Sequence, residues 1–69
     1  MKKKINIEGM SCGHCVAHVK EALEELSNVK VLEVNLNEKA ALVDTDIDDT
    51  ILISAIDEAG YDVMSIEAL

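Results

Sequence analysis

The sequence contains no proline, no tryptophan, no phenylalanine and a single tyrosine. Without large aromatic side chains, the interior of this 69-residue chain must be built from valine, isoleucine, leucine and alanine. A chain of this length buries only about 60% of the surface that its unfolded state exposes, so the core must be thin. Small aliphatic side chains packed between a sheet and helices fit this composition, and no tract is poor enough in apolar residues to predict disorder.

Long apolar runs and positive charge are also scarce. No run approaches the roughly 18 to 20 residues of a membrane-spanning helix, and the first lysines lead at once into the alternating residues 5–8 rather than into the apolar region of a signal peptide. We therefore predict a cytoplasmic protein without direct membrane insertion. Six basic against fourteen acidic residues give a net charge of −8, which disfavours nucleic acid as a partner. Ordinary solubility accounts for this acidity, and electrostatic matching to a basic partner surface is the functional alternative.

Hydrophobic periodicity predicts six elements in the order strand, helix, strand, strand, helix, strand. They are a strand over 3–8, a helix over 15–26, strands over 32–36 and 40–46 joined by the turn 37–39, a helix over 51–59, and a strand over 62–67. Asp48 or Asp49 is expected to cap the second helix, and Gly60 to end it. This order predicts an α+β, ferredoxin-like βαββαβ sandwich, with two helices on one face of a four-stranded antiparallel sheet. No linker divides the chain, so we expect a single domain over residues 1–69.

Several residues carry more detailed expectations. Leu32, Val34 and Leu36 alternate with polar residues, which predicts that they share one face of the second strand. The buried face of the third strand stays open, because residues 40–43 are continuously apolar. Met64 is expected to be a strand or core residue.

Two cysteines separated by two residues are the only thiols, Cys12 and Cys15. Cytoplasmic thiols stay reduced, so this pair indicates metal binding or redox chemistry rather than a structural disulfide. The segment 9–15 joins the first strand to the first helix, where the helix N-terminus favours thiolates that can face one ion. Soft thiolates select soft ions such as Cu(I), which accepts two or three ligands, whereas structural Zn(II) usually takes four.

The run Gly-Met-Ser-Cys-Gly-His-Cys at residues 9–15 closely resembles the GMxCxxC signature of the heavy-metal-associated domain family. That family includes bacterial copper chaperones and N-terminal domains of copper-transporting P-type ATPases. Residues 34–36 and 55–61 also resemble the family, so the resemblance covers nearly the whole chain. It implies a cytoplasmic Cu(I) chaperone with Cys12 and Cys15 as ligands. Because the sequence begins at Met1 and ends just after the last strand, we expect a free chaperone, with a domain of a copper-transporting ATPase as the alternative. The resemblance also implies that copper passes by ligand exchange to the metal-binding domain of a copper-transporting P-type ATPase.

Four residues are expected to support the cysteine pair: Met10, Ser11, His14 and Tyr61. Met10 is expected to anchor the loop in the core rather than to supply a thioether ligand. Ser11 stands where zinc- and cadmium-exporting relatives often carry an acidic residue, which favours Cu(I). His14 is expected to tune the site or contact the partner. Tyr61 resembles a tyrosine near the metal in bacterial chaperones, which implies that it shields the copper thiolates. His18 falls on the polar side of the first helix, where solvent exposure is expected.

The main alternative function is that of a thiol-disulfide oxidoreductase. Thioredoxin-like enzymes need a cis-proline beside their cysteine motif, and this chain has no proline. We therefore predict a carrier and not an enzyme. Three other interpretations stay open at this point: a carrier of another soft ion, a copper-storage domain, and a homodimer bridged by copper through four cysteines.

Overall fold

A computed structural model describes residues 1–69 and contains the six elements in the predicted order. They are β1 (Lys2–Glu8), α1 (Gly13–Glu24), β2 (Val29–Asn35), β3 (Ala40–Thr45), α2 (Asp49–Glu58) and β4 (Asp62–Ala68). The strands form one antiparallel sheet in the spatial order β2-β3-β1-β4. This is the ferredoxin-like arrangement, and it confirms the predicted fold. Neither helix is long and apolar enough to cross a membrane.

One cluster of nine buried residues joins the sheet to both helices. Its members are aliphatic side chains and one methionine: Ile5, Ile7, Met10, Val19, Leu23, Ala41, Val43, Leu52 and Ile56. Each helix contributes two residues four positions apart, as an amphipathic helix with one apolar stripe does. On β3, Ala41 and Val43 are fully buried and Thr45 nearly so, which shows that these three residues face the core. The continuous apolar run of residues 40–43 does not by itself predict which face of this strand is buried.

The inward face of β2 differs from the prediction. The strand begins three residues earlier than expected, and a shift in its pairing with β3 leaves Leu32 as the extra residue of a β-bulge. Val31 and Val34 pack against the core, whereas Leu32 and Leu36 are 43% and 36% exposed. The prediction that Leu32, Val34 and Leu36 share one face is therefore wrong, because the inserted Leu32 reverses the alternation before Val34, and Leu36 lies in the turn after β2.

A second bulge lies in β4. Its pairing with β1 shifts between Asn6 and Ile7, and Met64 is the extra residue on β4. Met64 is 67% exposed, so it is a strand residue, as expected, but it does not belong to the core.

The start of α2 also differs in detail from the expected cap. Asp48 occupies the N-cap position but makes no side-chain capping hydrogen bond. The neighbouring Asp49 instead accepts a hydrogen bond of 2.7 Å from Nζ of Lys3, which also donates to the Ile47 carbonyl oxygen. Lys3, on β1, therefore holds the N-terminal end of α2 against the sheet. The opposite, C-terminal end of α2 lies near residues 9–15, the loop that carries the cysteines.

Candidate metal centre

The two cysteines lie at the start of α1, which begins two residues earlier than predicted. Cys12 is the N-cap residue, and its carbonyl oxygen accepts hydrogen bonds from the N–H groups of Cys15 (3.0 Å) and Val16 (3.2 Å). The Cys12 side chain makes no capping hydrogen bond, so its sulfur is available to the site. The two Sγ atoms are 3.4 Å apart, in free thiols of which Cys12 is exposed and Cys15 half-buried. Because two metal–sulfur bonds of about 2.3 Å each span more than this separation, both sulfurs can reach one ion.

The loop before the cysteines is anchored on its inner side. Gly9 follows β1 with a φ of +94°, a conformation that favours glycine. Met10, the next residue, is fully buried in the core cluster, and Ser11 and Cys12 are exposed. The chain therefore passes within two residues from a buried side chain to an exposed thiol.

Tyr61 reaches the cysteine loop through the turn that ends α2. The N–H of Gly60 donates a hydrogen bond to the carbonyl oxygen of Asp57 (3.0 Å), and the N–H of Tyr61 donates one to the carbonyl oxygen of Ile56 (3.2 Å). With Gly60 at a φ of +97°, these two bonds form a Schellman motif, which stops the helix and redirects the chain into β4. The Tyr61 ring then lies against Gly9, and its Cδ1 atom is 3.7 Å from the position that a β-carbon on Gly9 would occupy. The ring is thus placed beside the loop that carries the cysteines.

The environment of Cys15 favours its thiolate. The pKa of Cys15 is lowered to about 6 from the ordinary value of 9.0, and the largest cause is hydrogen bonding by the Tyr61 side chain. A backbone hydrogen bond at Ser11 and the Cys12 side chain lower this pKa further, and desolvation opposes them. The same contact with Cys15 raises the pKa of Tyr61. Near neutral pH Cys15 is therefore largely a thiolate, the form that binds metals.

His18 is exposed on the polar face of α1, as predicted, and it also contacts Tyr61. Its Nδ1 atom is 3.4 Å from the Tyr61 hydroxyl oxygen. The two residues are 43 positions apart in the chain, so no local pattern indicates the contact. His18 lies one helical turn after Cys15, so its contact places the Tyr61 hydroxyl on the side of α1 that carries this cysteine.

The remaining predicted residues lie on the solvent side of the loop. Ser11 is exposed, and the exposed His14 stands in the first turn of α1 between the two cysteines. No set of three or more His, Cys, Asp and Glu side chains is grouped so as to hold a metal ion. The fold thus brings together two sulfur donors and a tyrosine, and the roles of Met10, Ser11, His14 and Tyr61 at the metal stay predictions.

Residues 4–62 match the heavy-metal-associated domain family. The chain belongs to this family. Among its relatives, the copper chaperone CopZ of Enterococcus hirae is 41% identical over 64 residues, which are 88% of this chain and 93% of that protein. A mercuric reductase of Shewanella putrefaciens is 42% identical over 59 residues, 83% of this chain but only 11% of the reductase.

Solved structures share the fold of this heavy-metal-associated domain. A CopZ metallochaperone superposes with a TM-score of 0.86 at 36% identity, covering 93% of this chain and all of the other. A copper-binding domain of a P-type ATPase superposes with a TM-score of 0.84 at 27% identity, covering 99% of this chain and all of that domain. The βαββαβ fold is therefore common to a metallochaperone and to a copper-binding domain of a P-type ATPase.

The lowered pKa of Cys15 predicts a pH dependence of the metal-free domain. Between pH 6 and 9 the unfolded state binds more protons, because Cys15 titrates at about 6 when folded and its ordinary value is 9.0. The contribution of Cys15 to the free energy of unfolding should therefore rise with pH across this window, and it is lost as pH falls through about 6. Denaturant unfolding at several pH values and the ultraviolet absorbance of the thiolate measure both effects. Tyr61→Phe should move the Cys15 titration to higher pH, and an unchanged midpoint would contradict the assigned cause.

Proposed function

We propose that this domain is a cytoplasmic carrier, not an enzyme, and that it binds Cu(I) on the thiolates of Cys12 and Cys15. The observation that supports it most is the pair of free thiols 3.4 Å apart at the exposed start of α1. Two soft thiolates suit an ion that is satisfied by two or three ligands, whereas structural Zn(II) usually takes four. The relatives named as copper chaperones support carriage rather than catalysis.

The proposed acceptor is the metal-binding domain of a copper-transporting P-type ATPase. Cys12 is exposed, so a thiolate of the acceptor can bond to the ion before the half-buried Cys15 lets it go. The low coordination number of Cu(I) leaves room for the entering ligand. The likeness to a copper-binding domain of a P-type ATPase supports an acceptor with the same fold, and the net charge of −8 suits a basic acceptor surface.

The residues around the cysteines have supporting roles in this proposal. Met10 fixes the loop by its burial, and Ser11 leaves the position before Cys12 without a carboxylate that would favour a harder ion. Tyr61 shields the sulfur of Cys15 and stabilises its thiolate. His14, exposed between the two ligands, is placed to meet the acceptor.

An anaerobic titration of the reduced domain, in competition with a chelator, tests the proposal. We expect one Cu(I) per chain and far weaker binding of Zn(II). Cu(I)-loaded domain should then pass its ion to the isolated metal-binding domain of a copper-transporting P-type ATPase, which chromatography of the two proteins followed by copper analysis measures. Equal affinity for Zn(II) would contradict the choice of metal.

The same experiment separates the alternatives. Tight Cu(I) binding without transfer would indicate storage. One Cu(I) for every two chains, with a doubled molecular mass, would indicate a homodimer that shares the ion through four cysteines. The match to part of a mercuric reductase makes another soft ion the second candidate for the cargo.

A further inference from the structure

A hydrogen bond connects the metal site with the exposed face of α1. The Tyr61 hydroxyl oxygen lies 3.4 Å from Nδ1 of His18. We propose that His18 is a positioning residue for metal release, which holds the Tyr61 hydroxyl beside Cys15 and so slows the loss of the bound ion. This inference rests on the function proposed above and adds to it a residue that is not a ligand.

The direction of the hydrogen bonds follows from the chemistry of the three groups. The Tyr61 hydroxyl carries one proton, and its oxygen lies 3.4 Å from the imidazole of His18, which follows the proposed ligand Cys15 by one helical turn. Cys15 would be a thiolate when it binds the ion, and a hydrogen bond to an ionised acceptor is the stronger one, so we expect the proton to point to Cys15. The hydroxyl oxygen then accepts from His18, which donates when Nδ1 carries a proton. In this arrangement His18, Tyr61 and Cys15 would form a hydrogen-bonded chain in which each bond polarises the other.

The rest of Tyr61 is held by different contacts. Its N–H is bonded to the Ile56 carbonyl oxygen, and its ring lies against Gly9. These contacts fix the backbone and the near edge of the ring, whereas His18 is the side chain with a nitrogen or oxygen in hydrogen-bond contact with the hydroxyl. Loss of the imidazole should therefore free the hydroxyl end of Tyr61 and leave the fold unchanged.

Three substitutions of His18 distinguish a role of its Nδ1 atom in positioning Tyr61 from a role that depends only on the volume of the side chain. His18→Asn places an amide group where Nδ1 stands, His18→Gln moves that amide outward by one methylene, and His18→Leu removes it. We expect transfer of Cu(I) to a chromophoric chelator to be about two- to fivefold faster in the Gln and Leu variants, the range of one modest hydrogen bond. The Asn variant should release Cu(I) at close to the wild-type rate.

A role that is only structural predicts another order. Glutamine and leucine have higher helix propensities than histidine and asparagine, so the Gln and Leu variants would then release Cu(I) no faster than the wild type does. Tyr61 is the single aromatic residue of the chain, so the near-ultraviolet circular dichroism of the reduced, metal-free domain reports on that ring alone. We expect this signal to weaken in the Gln and Leu variants and to persist in the Asn variant.

A double-mutant cycle completes the test. In a Tyr61→Phe background, which lacks the hydroxyl, His18→Leu should leave the release rate unchanged. The inference is overturned if His18→Leu speeds release equally in both backgrounds, or if all His18 variants release Cu(I) at the wild-type rate. Failure of the proposed function would look different, because the wild-type domain would then not bind Cu(I), while the dichroism of the metal-free variants would still report on His18.

Discussion

Replacing both Cys12 and Cys15 with serine is expected to abolish Cu(I) binding, with a fall in affinity of well over about a hundredfold. Loss of residues that only support metal ligands already costs about 10- to 100-fold, so the loss of both ligands should exceed that range. A serine hydroxyl is a hard donor that stays protonated at neutral pH, and Cu(I) prefers soft thiolates. No group of three or more other donors is placed to replace them. Competition titration against a strong chelator measures the change.

The two single variants add information on the order of ligand exchange. Cys15→Ser removes the thiolate that Tyr61 stabilises, whereas Cys12→Ser removes the exposed sulfur that an acceptor reaches first. We therefore expect Cys15→Ser to have the larger effect on affinity near pH 6, and Cys12→Ser to have the larger effect on transfer rate.

Controls for the cysteine variants test folding and the specificity of sulfur. The far-ultraviolet circular dichroism should be unchanged, because neither cysteine belongs to the nine-residue buried cluster. Met64→Leu removes an exposed sulfur from the bulge of β4 and should keep the wild-type affinity. Tight one-to-one binding by the double-serine variant would place the ion elsewhere and refute the proposed site.

The sequence was sufficient to predict the element order and the position of the cysteine pair, because both depend on short-range patterns. The apolar stripe of α1 recurs at helical spacing, and Cys12 and Cys15 lie three positions apart where the strand gives way to the helix. A helix start places such residues side by side whatever the rest of the chain does. The structure shows this pairing in the 3.4 Å separation of the two sulfurs.

The sequence was insufficient where the structure depends on contacts between distant segments. The bulges at Leu32 and Met64 each insert one residue into a strand, and only the pairing with the neighbouring strand reveals them. The contact between Tyr61 and His18 likewise requires the Schellman turn of α2 and the packing of the two helices. The family resemblance alone predicts that Tyr61 lies near the metal, and periodicity gives no indication that His18 contacts it.

Truncation of Met10 is expected to cause a large loss of folding stability. Met10→Ala is expected to lower the free energy of unfolding by about 2 to 5 kcal/mol, because the methionine is fully buried and alanine would leave a cavity. Domains have total stabilities of about 5 to 15 kcal/mol, and short chains lie at the low end, so a measurable fraction of this variant should be unfolded at room temperature. Denaturant unfolding of the metal-free domain measures the loss.

Met10→Leu distinguishes a packing residue from a metal ligand at the same position. Leucine has nearly the volume of methionine, so the cost in stability should be below about 1.5 kcal/mol, yet it has no sulfur. If Met10 only anchors the loop, this variant keeps its Cu(I) affinity, because the positions of Cys12 and Cys15 depend on the filled core and not on the thioether. A tenfold or larger fall in affinity, at unchanged stability, would instead show that the buried sulfur turns toward the ion. The full burial of Met10 in the core cluster favours the first outcome, since a ligand would have to leave that cluster and open a cavity behind it.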